Sequence, residues 1–151
     1  MIGLLQRVVS SSVVVADREI ARISRGLMVL VAVEPGDTDK TAEALLRKIS
    51  RYRVFPDVDG KMNLGLIDAG GDLLLVPQFT LAADTQRGLR PGFSKAASQE
   101  DGARLFATLV SLADKLDCRV ATGQFGADMQ VALVNDGPVT FWLQETPPTS
   151  D

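Results

Sequence analysis

The sequence predicts a single α+β domain, a mixed or antiparallel, barrel-like β-sheet with two covering helices. Three observations predict it. Several β-rich segments precede and follow two amphipathic segments, hairpin-like joins fall at both ends of the chain, and one apolar run is long enough for a strand buried on both faces. At 151 residues the chain has the length of one domain. A domain of that length buries roughly two-thirds of its unfolded surface, so its core needs neither disulfide nor metal.

Met1 to Val9 is apolar and β-rich, and Ser10-Ser11-Ser12 reads as a turn. Val13 to Ala16 and Ile20 to Ile23 then form a hairpin around Asp17-Arg18-Glu19. Ser24-Arg25-Gly26 turns the chain into Leu27 to Val33, the continuous apolar run, which Glu34-Pro35-Gly36-Asp37 ends. A helix is predicted from about Thr38 to Tyr52, with Ala42, Leu45, Leu46, Ile49 and Tyr52 at helical spacing. Phe55 to Lys61 reads as loop, and Ala69-Gly70-Gly71 leads into a strand at Leu73 to Val76. Ser98 and Asp101 approximate a capping box for a second helix, whose apolar face is Leu105, Leu109, Leu112, Ala113 and Leu116. Strands close the chain near Cys118 to Ala121, Met129 to Val134 and Val139 to Gln144. The domain is expected to span residues 1–145, with 146–151 a disordered tail.

Composition excludes several chemistries. There is no histidine, which removes Ser-His-Asp and Cys-His nucleophilic systems and zinc sites of the usual His-containing kind. Cys118 is the one cysteine, so no intrachain disulfide or redox pair can form, and a reducing, cytoplasmic setting fits. No stretch approaches the roughly 20 apolar residues of a membrane span, and the start does not read as a signal peptide. The net charge of −3 argues against indiscriminate nucleic-acid binding while leaving room for a local basic patch. An enzyme of this composition works through hydroxyls, carboxylates, lysines, backbone groups or the substrate's own atoms.

Phosphate-cradling and dinucleotide-binding glycine patterns are absent. Asp57-Val58-Asp59-Gly60-Lys61 superficially resembles a calcium loop, but its glycine comes too early and no glutamate closes it, so it reads as a polar surface turn. No metal and no cofactor are expected.

Two segments stand out. Leu75-Val76-Pro77-Gln78-Phe79-Thr80-Leu81 is a strand that ends in Pro-Gln and then presents Phe79 and Thr80. It reads either as a plain strand end or as one whose backbone N–H groups and Thr80 hydroxyl face a site. Val134-Asn135-Asp136-Gly137-Pro138-Val139-Thr140 reads as a hairpin turn. From residues alone its Gly137–Pro138 bond is expected to be trans, since cis occurs in roughly 5–6% of X–Pro bonds. A cis bond would aim two successive carbonyl oxygens the same way.

The series Gln78-Phe79-Thr80-Leu81, Arg90-Pro91-Gly92-Phe93-Ser94-Lys95-Ala96-Ala97, Phe125-Gly126-Ala127-Asp128-Met129 and Asn135-Asp136-Gly137-Pro138-Val139-Thr140 resembles the D-aminoacyl-tRNA deacylase family, in family order. Gln6-Arg7-Val8 and Asp59-Gly60-Lys61-Met62-Asn63-Leu64 fit as well, and the resemblance runs from Met1 to about Gln144. It implies a hydrolase that cleaves the ester of D-aminoacyl-tRNA and of mischarged glycyl-tRNA, a homodimer, and an active site completed across the subunit interface. In that family the Gly-Pro pair, here Gly137-Pro138, is cis and enters the partner's pocket. Gln78, Phe79 and Thr80 match the segment that holds the tRNA's terminal adenosine and ester. Arg7 matches an arginine that steadies the Gly-Pro element, and Met129 matches a residue lining the adenosine pocket. The chain departs from the family pattern at Pro77, where serine is common, and at Ala82, where an aromatic is frequent. Proline offers neither a hydroxyl nor an N–H, so a mechanism needing serine there does not apply.

Two mechanisms are compatible with these residues. In one, backbone N–H groups near Phe79 and Thr80 stabilise the tetrahedral oxyanion, and the substrate's 2′-hydroxyl orients the attacking water. In the other, Thr80 is a covalent nucleophile, although no adjacent base is evident. Discrimination against L-amino acids follows from shape if carbonyl oxygens of Gly137-Pro138 clash with an L side chain while admitting hydrogen. Arg87, Arg90 and Lys95 form the best basic cluster and are candidates for contacting tRNA phosphates. A non-catalytic RNA-binding module and a structural dimer remain the competing classes.

Overall fold

The structure, a computed structural model, describes residues 1–149. Its elements are β1 (Ile2–Val15), β2 (Arg18–Ile23), β3 (Gly26–Ala32), α1 (Asp39–Arg51), β4 (Phe55–Pro56), β5 (Met62–Leu64), β6 (Asp72–Pro77), a 3₁₀ turn (Phe79–Ala82), α2 (Gln99–Ala113), β7 (Val120–Thr122) and β8 (Gln130–Gln144). The main sheet runs β2-β1-β3-β6-β7, with β8 paired along the other side of β1. Pairs involving β1 are antiparallel, whereas β3–β6 and β6–β7 are parallel. β2 lies against β6 and β7, so the mixed sheet curls into a nearly closed barrel. Among the described residues no helix is long and apolar enough to cross a membrane.

Alternation within the strands supplies two cores. Leu5, Leu27, Val29, Val31, Leu73 and Leu75 face the helices and meet Leu45, Ile49, Leu105 and Leu109. Val8, Val13, Met28, Leu74 and Val76 point the other way, into the barrel. β3 and β6 are therefore covered on both faces, which is why their sequences are apolar throughout. Thr38 caps α1 in a reciprocal box with Thr41, and the Ser98 hydroxyl caps α2 by accepting from Asp101 N at 3.1 Å. The expected tail at 146–151 lies partly outside the described residues, and 146–149 carry no helix or strand.

Three local expectations are corrected. Ser10-Ser11-Ser12 is not a turn but the middle of β1, flanked by β2 and β8. Its polarity is absorbed by hydrogen bonding, with the buried Ser11 hydroxyl donating to the Ala132 carbonyl at 2.7 Å. The hairpin turn is the pair Ala16 (φ 48°) and Asp17 (φ 63°), so β2 already begins at Arg18. Phe55 to Lys61 is not all loop, because β4 and β5 pair as a small arm. The Asp57 carboxylate holds the arm's turn by accepting from Asp59 N, Lys61 N and the Asn63 amide at 2.8–3.0 Å. The Asn63 bond first, and the backbone bonds after it, keep that carboxyl below its usual pKa.

The largest correction concerns Val134 to Thr140, which is no hairpin turn. β8 is one strand through it, paired with β1 at both ends. Between the pairs Gln6–Thr140 and Val8–Asn135, two steps along β1 face five along β8. The excess bulges out of the sheet and carries Asp136, Gly137 and Pro138.

Candidate active site

β6 ends where β7 has stopped pairing with it, so Pro77 forfeits no ladder bond by lacking an N–H. One residue on, Gln78 N donates to the Val31 carbonyl at 2.7 Å and anchors the exit from the sheet. The chain then tightens into the 3₁₀ turn, within which the Gln78 amide donates to the Thr80 hydroxyl. The first donors of such a turn have no partner inside it. Among the described residues no acceptor is in place for the N–H of Phe79 or of Thr80.

Beside this turn opens a cavity of about 630 Å³. Its floor is Val31, Val76 and Pro77, its walls include Gln78, Phe79, Phe93 and Met129, and the first turn of α2 closes it with Ser98, Gln99 and Gly102. Phe79, 59% exposed, leans on Phe93 with ring centroids 5.1 Å apart, so two aromatic rings flank the mouth. Gln124 N donates to Met129 Sδ at 3.4 Å, which fixes the thioether against Gly123. The lining is largely apolar and aromatic with a few polar groups, the character of a small-molecule pocket.

The sequence-predicted residues divide into two places. Gln78, Phe79 and Met129 line the cavity, with Thr80 next along the turn. Gly137 and Pro138 do not line it, and they are exposed on the bulge of β8. The Gly137–Pro138 peptide is cis, against the expectation from residues alone and in accord with the family resemblance. Gly137 sits at φ 149°, and a Cβ there would come within 2.6 Å of Val139 Cγ2. Arg7 spans the base of the bulge: Nε donates to the Asp136 carbonyl at 2.9 Å, and a terminal nitrogen donates to the Val54 carbonyl at 2.6 Å.

Arg87 and Arg90 lie on an exposed loop closed by reciprocal bonds between Asp84 and Gly92, and the exposed Lys95 follows just beyond it. Lys95 pairs with the Asp84 carboxylate at 3.3 Å. That carboxyl is held below its usual pKa, first by the Gln86 N–H and then by Lys95. Arg87 and Arg90 have no carboxylate partner among the described residues.

Sequence reasoning missed Asn135 and the small residues in and behind the cavity wall. The Asn135 side chain accepts from Val139 N at 2.7 Å and donates to the Thr140 hydroxyl at 2.9 Å and to Gln6 Oε1 at 3.3 Å. Asn135 thus cross-braces the bulge from within. Gly102 leaves room for the Phe125 ring, and Gly123 for Met129 and Pro77. Asn135 was legible only as a turn former, and nothing in the sequence marks Gly102 as a wall position or Gly123 as the support behind Met129 and Pro77.

Comparison with known proteins identifies the family of the chain. The family model described as D-Tyr-tRNA(Tyr) deacylase matches residues 4–144. A D-aminoacyl-tRNA deacylase of Pseudomonas fluorescens (strain Pf0-1) is 60% identical over 95% of this chain and 99% of its own length. One from Janthinobacterium sp. (strain Marseille) is 56% identical over 97% of this chain and 99% of its own. The solved structure of the c-Myc DNA Unwinding Element Binding Protein superposes with a TM-score of 0.91 at 36% identity, covering 98% of this chain and all of that one (100%). With the match running from the first strand to the last, the chain belongs to the D-Tyr-tRNA(Tyr) deacylase family.

Proposed function

We propose that this protein hydrolyses the ester joining a D-amino acid, or glycine, to the 3′ end of tRNA, releasing free tRNA and the amino acid. The observation that carries the reading is the pair of unpartnered N–H groups at Phe79 and Thr80 beside an aromatic cavity in a chain without histidine. The terminal adenosine stacks in the cavity near Phe79 and Met129, and the ester carbonyl lies against the two N–H groups. An aminoacyl ester is already activated, so stabilising the oxyanion is the main task, and one such donor is worth about 3 kcal/mol. The 2′-hydroxyl orients the attacking water. Thr80, whose hydroxyl accepts from Gln78 and has no adjacent base, shapes the turn rather than attacking.

Handedness is tested by Gly137-Pro138 of a second copy of the chain. Val134 (56% exposed), Phe141 (37%) and Trp142 (52%) leave large apolar side chains exposed along β8, the strand that carries the bulge, and this supports a homodimer. Carbonyl oxygens presented by the partner at the substrate's α-carbon exclude an L side chain and admit hydrogen, so glycine is not rejected. The enzyme is placed in the cytoplasm, where its substrate is made.

Deacylation of D- and L-tyrosyl-tRNA, with Thr80→Ala beside the wild type, tests the reading. The D ester is expected to be cleaved and the L ester spared, with Thr80→Ala keeping most activity. Equal cleavage of both esters removes the chiral filter. Near-complete loss in a folded, tRNA-binding Thr80→Ala removes the backbone mechanism. Binding of tRNA with the ester left intact makes the protein an RNA-binding module instead.

A further inference from the structure

A second groove, of about 440 Å³, lies on the outer side of α1 and is lined by Ala44, Arg47, Lys48, Arg51, Tyr52 and Glu145. Arg47 and Arg51 stand one turn apart on the same helix face, both exposed, with Arg53 just beyond the helix end. Glu145, the groove's one acid, is already paired with Lys48. Among the described residues no carboxylate pairs with Arg47, Arg51 or Arg53, and the nearest acid along the helix, Glu43, is solvent-exposed. Cations in the last helical turn complement the negative end of the helix. That accounts for Lys48 and Arg51, but not for Arg47 a turn earlier or Arg53 beyond the helix. In a chain of net charge −3, two unpaired arginines lining one groove, with Arg53 just beyond the helix that carries them, form a local positive field.

The groove is tied to the bulge. Tyr52, which lines it, packs edge-on against Phe141 of β8 with centroids 5.5 Å apart. Arg7 joins the Val54 carbonyl, just past α1, to the Asp136 carbonyl just before Gly137. The groove and the bulge are thus joined through α1, Arg7 and β8. We infer that the Arg47–Arg51 groove of one subunit holds the acceptor-arm phosphates of the tRNA whose 3′ end occupies the partner's cavity. The inference rests on the proposed cross-subunit deacylase. It gives each tRNA contacts to both copies of the chain: adenosine and ester to one, backbone to the other.

Kinetics on two substrates test it: full-length D-tyrosyl-tRNA and the short fragment D-tyrosyl-adenosine, which has no acceptor stem. For Arg47→Gln/Arg51→Gln, KM for the full tRNA is expected to rise about tenfold near 0.1 M salt, and the log–log salt slope to flatten by about 1–2. Activity on the fragment is expected to stay at the wild-type value. Unchanged kinetics on the full tRNA overturn the inference, and so does an equal loss on tRNA and fragment, which marks damage to the fold or site. If Arg87→Gln/Arg90→Gln alone removes the salt dependence, the phosphates run along that loop and the inference is wrong. Wild-type protein that cleaves neither substrate defeats the deacylase reading itself, a result distinct from wild-type cleavage with an indifferent groove.

Discussion

Arg7 Nε donates to the carbonyl of Asp136 at 2.9 Å, so a guanidinium on the first strand fixes the residue immediately before Gly137-Pro138 on the last. The same side chain, only 12% exposed, reaches the Val54 carbonyl and stands 3.6 Å from the Asp136 carboxylate. Its planar fork sends two different nitrogens to the two carbonyls, whereas lysine has a single nitrogen to offer. Arg7→Lys is therefore expected to loosen the bulge while leaving the fold intact. With about 1.5–3 kcal/mol for a charged hydrogen bond, kcat/KM for the D ester should fall by about tenfold to a hundredfold. Cleavage of the L ester should rise relative to it. Paired D and L assays with a thermal melt check this, and an unchanged D-to-L ratio would show that Arg7 has no part in discrimination.

Asn135 braces the same bulge from the inside. Replacing it by alanine strands the Val139 N–H in a nearly buried setting, at a cost of about 1–3 kcal/mol. Asn135→Asp keeps that acceptor but loses the donors to Thr140 and Gln6. The expected order of stability in urea is wild type, then Asp, then Ala. The D-to-L ratio should fall in the same order. Equal behaviour of the two variants would remove the Val139 bond from the explanation.

The architecture was readable because β3 and β6 are apolar on both faces, α1 has its apolar residues at helical spacing and α2 carries a cap signal, local patterns that survive without tertiary information. Ser10 to Ser12 and Asn135 to Pro138 misled for one shared reason. Both are turn-forming by composition, yet each is flanked by a long partner strand that supplies ladder bonds, and tertiary pairing outweighs local preference. Gln78, Phe79 and Met129 were named through the family resemblance, since from residues alone the strand end left two readings open. The wall made by α2 was not, since residues about 20 apart along the chain meet there only once the sheet is formed.

The amino group of Met1 is wholly buried and donates to Asp37 Oδ1 at 2.8 Å, Glu34 Oε2 at 3.1 Å and the Glu145 carbonyl at 2.7 Å. It locks the start of β1 to the end of β8 and to the turn before α1. Asp37 is equally buried, with 1% of its side chain exposed, whereas Glu34 keeps 25%. Removing one partner of a buried pair leaves the other charge uncompensated, so Asp37→Ala should cost about 3–5 kcal/mol in urea unfolding. Glu34→Ala should cost distinctly less, because solvent already screens that carboxylate. Equal and small losses would mean that the ammonium is solvated in solution.

Gly123 lies behind the cavity wall, against Met129 and Pro77. A Cβ there would stand 2.9 Å from Met129 Sδ and 3.2 Å from Pro77 Cδ. The proline ring cannot retreat, so the flexible thioether must move, and it would give up the N–H of Gln124 in doing so. Overpacking of this kind costs about 1–3 kcal/mol. Because the displaced group lines the cavity as well as packing against the barrel core, the loss should fall on binding as well as on stability. Gly123→Ala is therefore expected to raise KM for D-tyrosyl-adenosine about tenfold with kcat little changed. A fall in kcat at constant KM would place Met129 against the reacting ester instead of the adenosine.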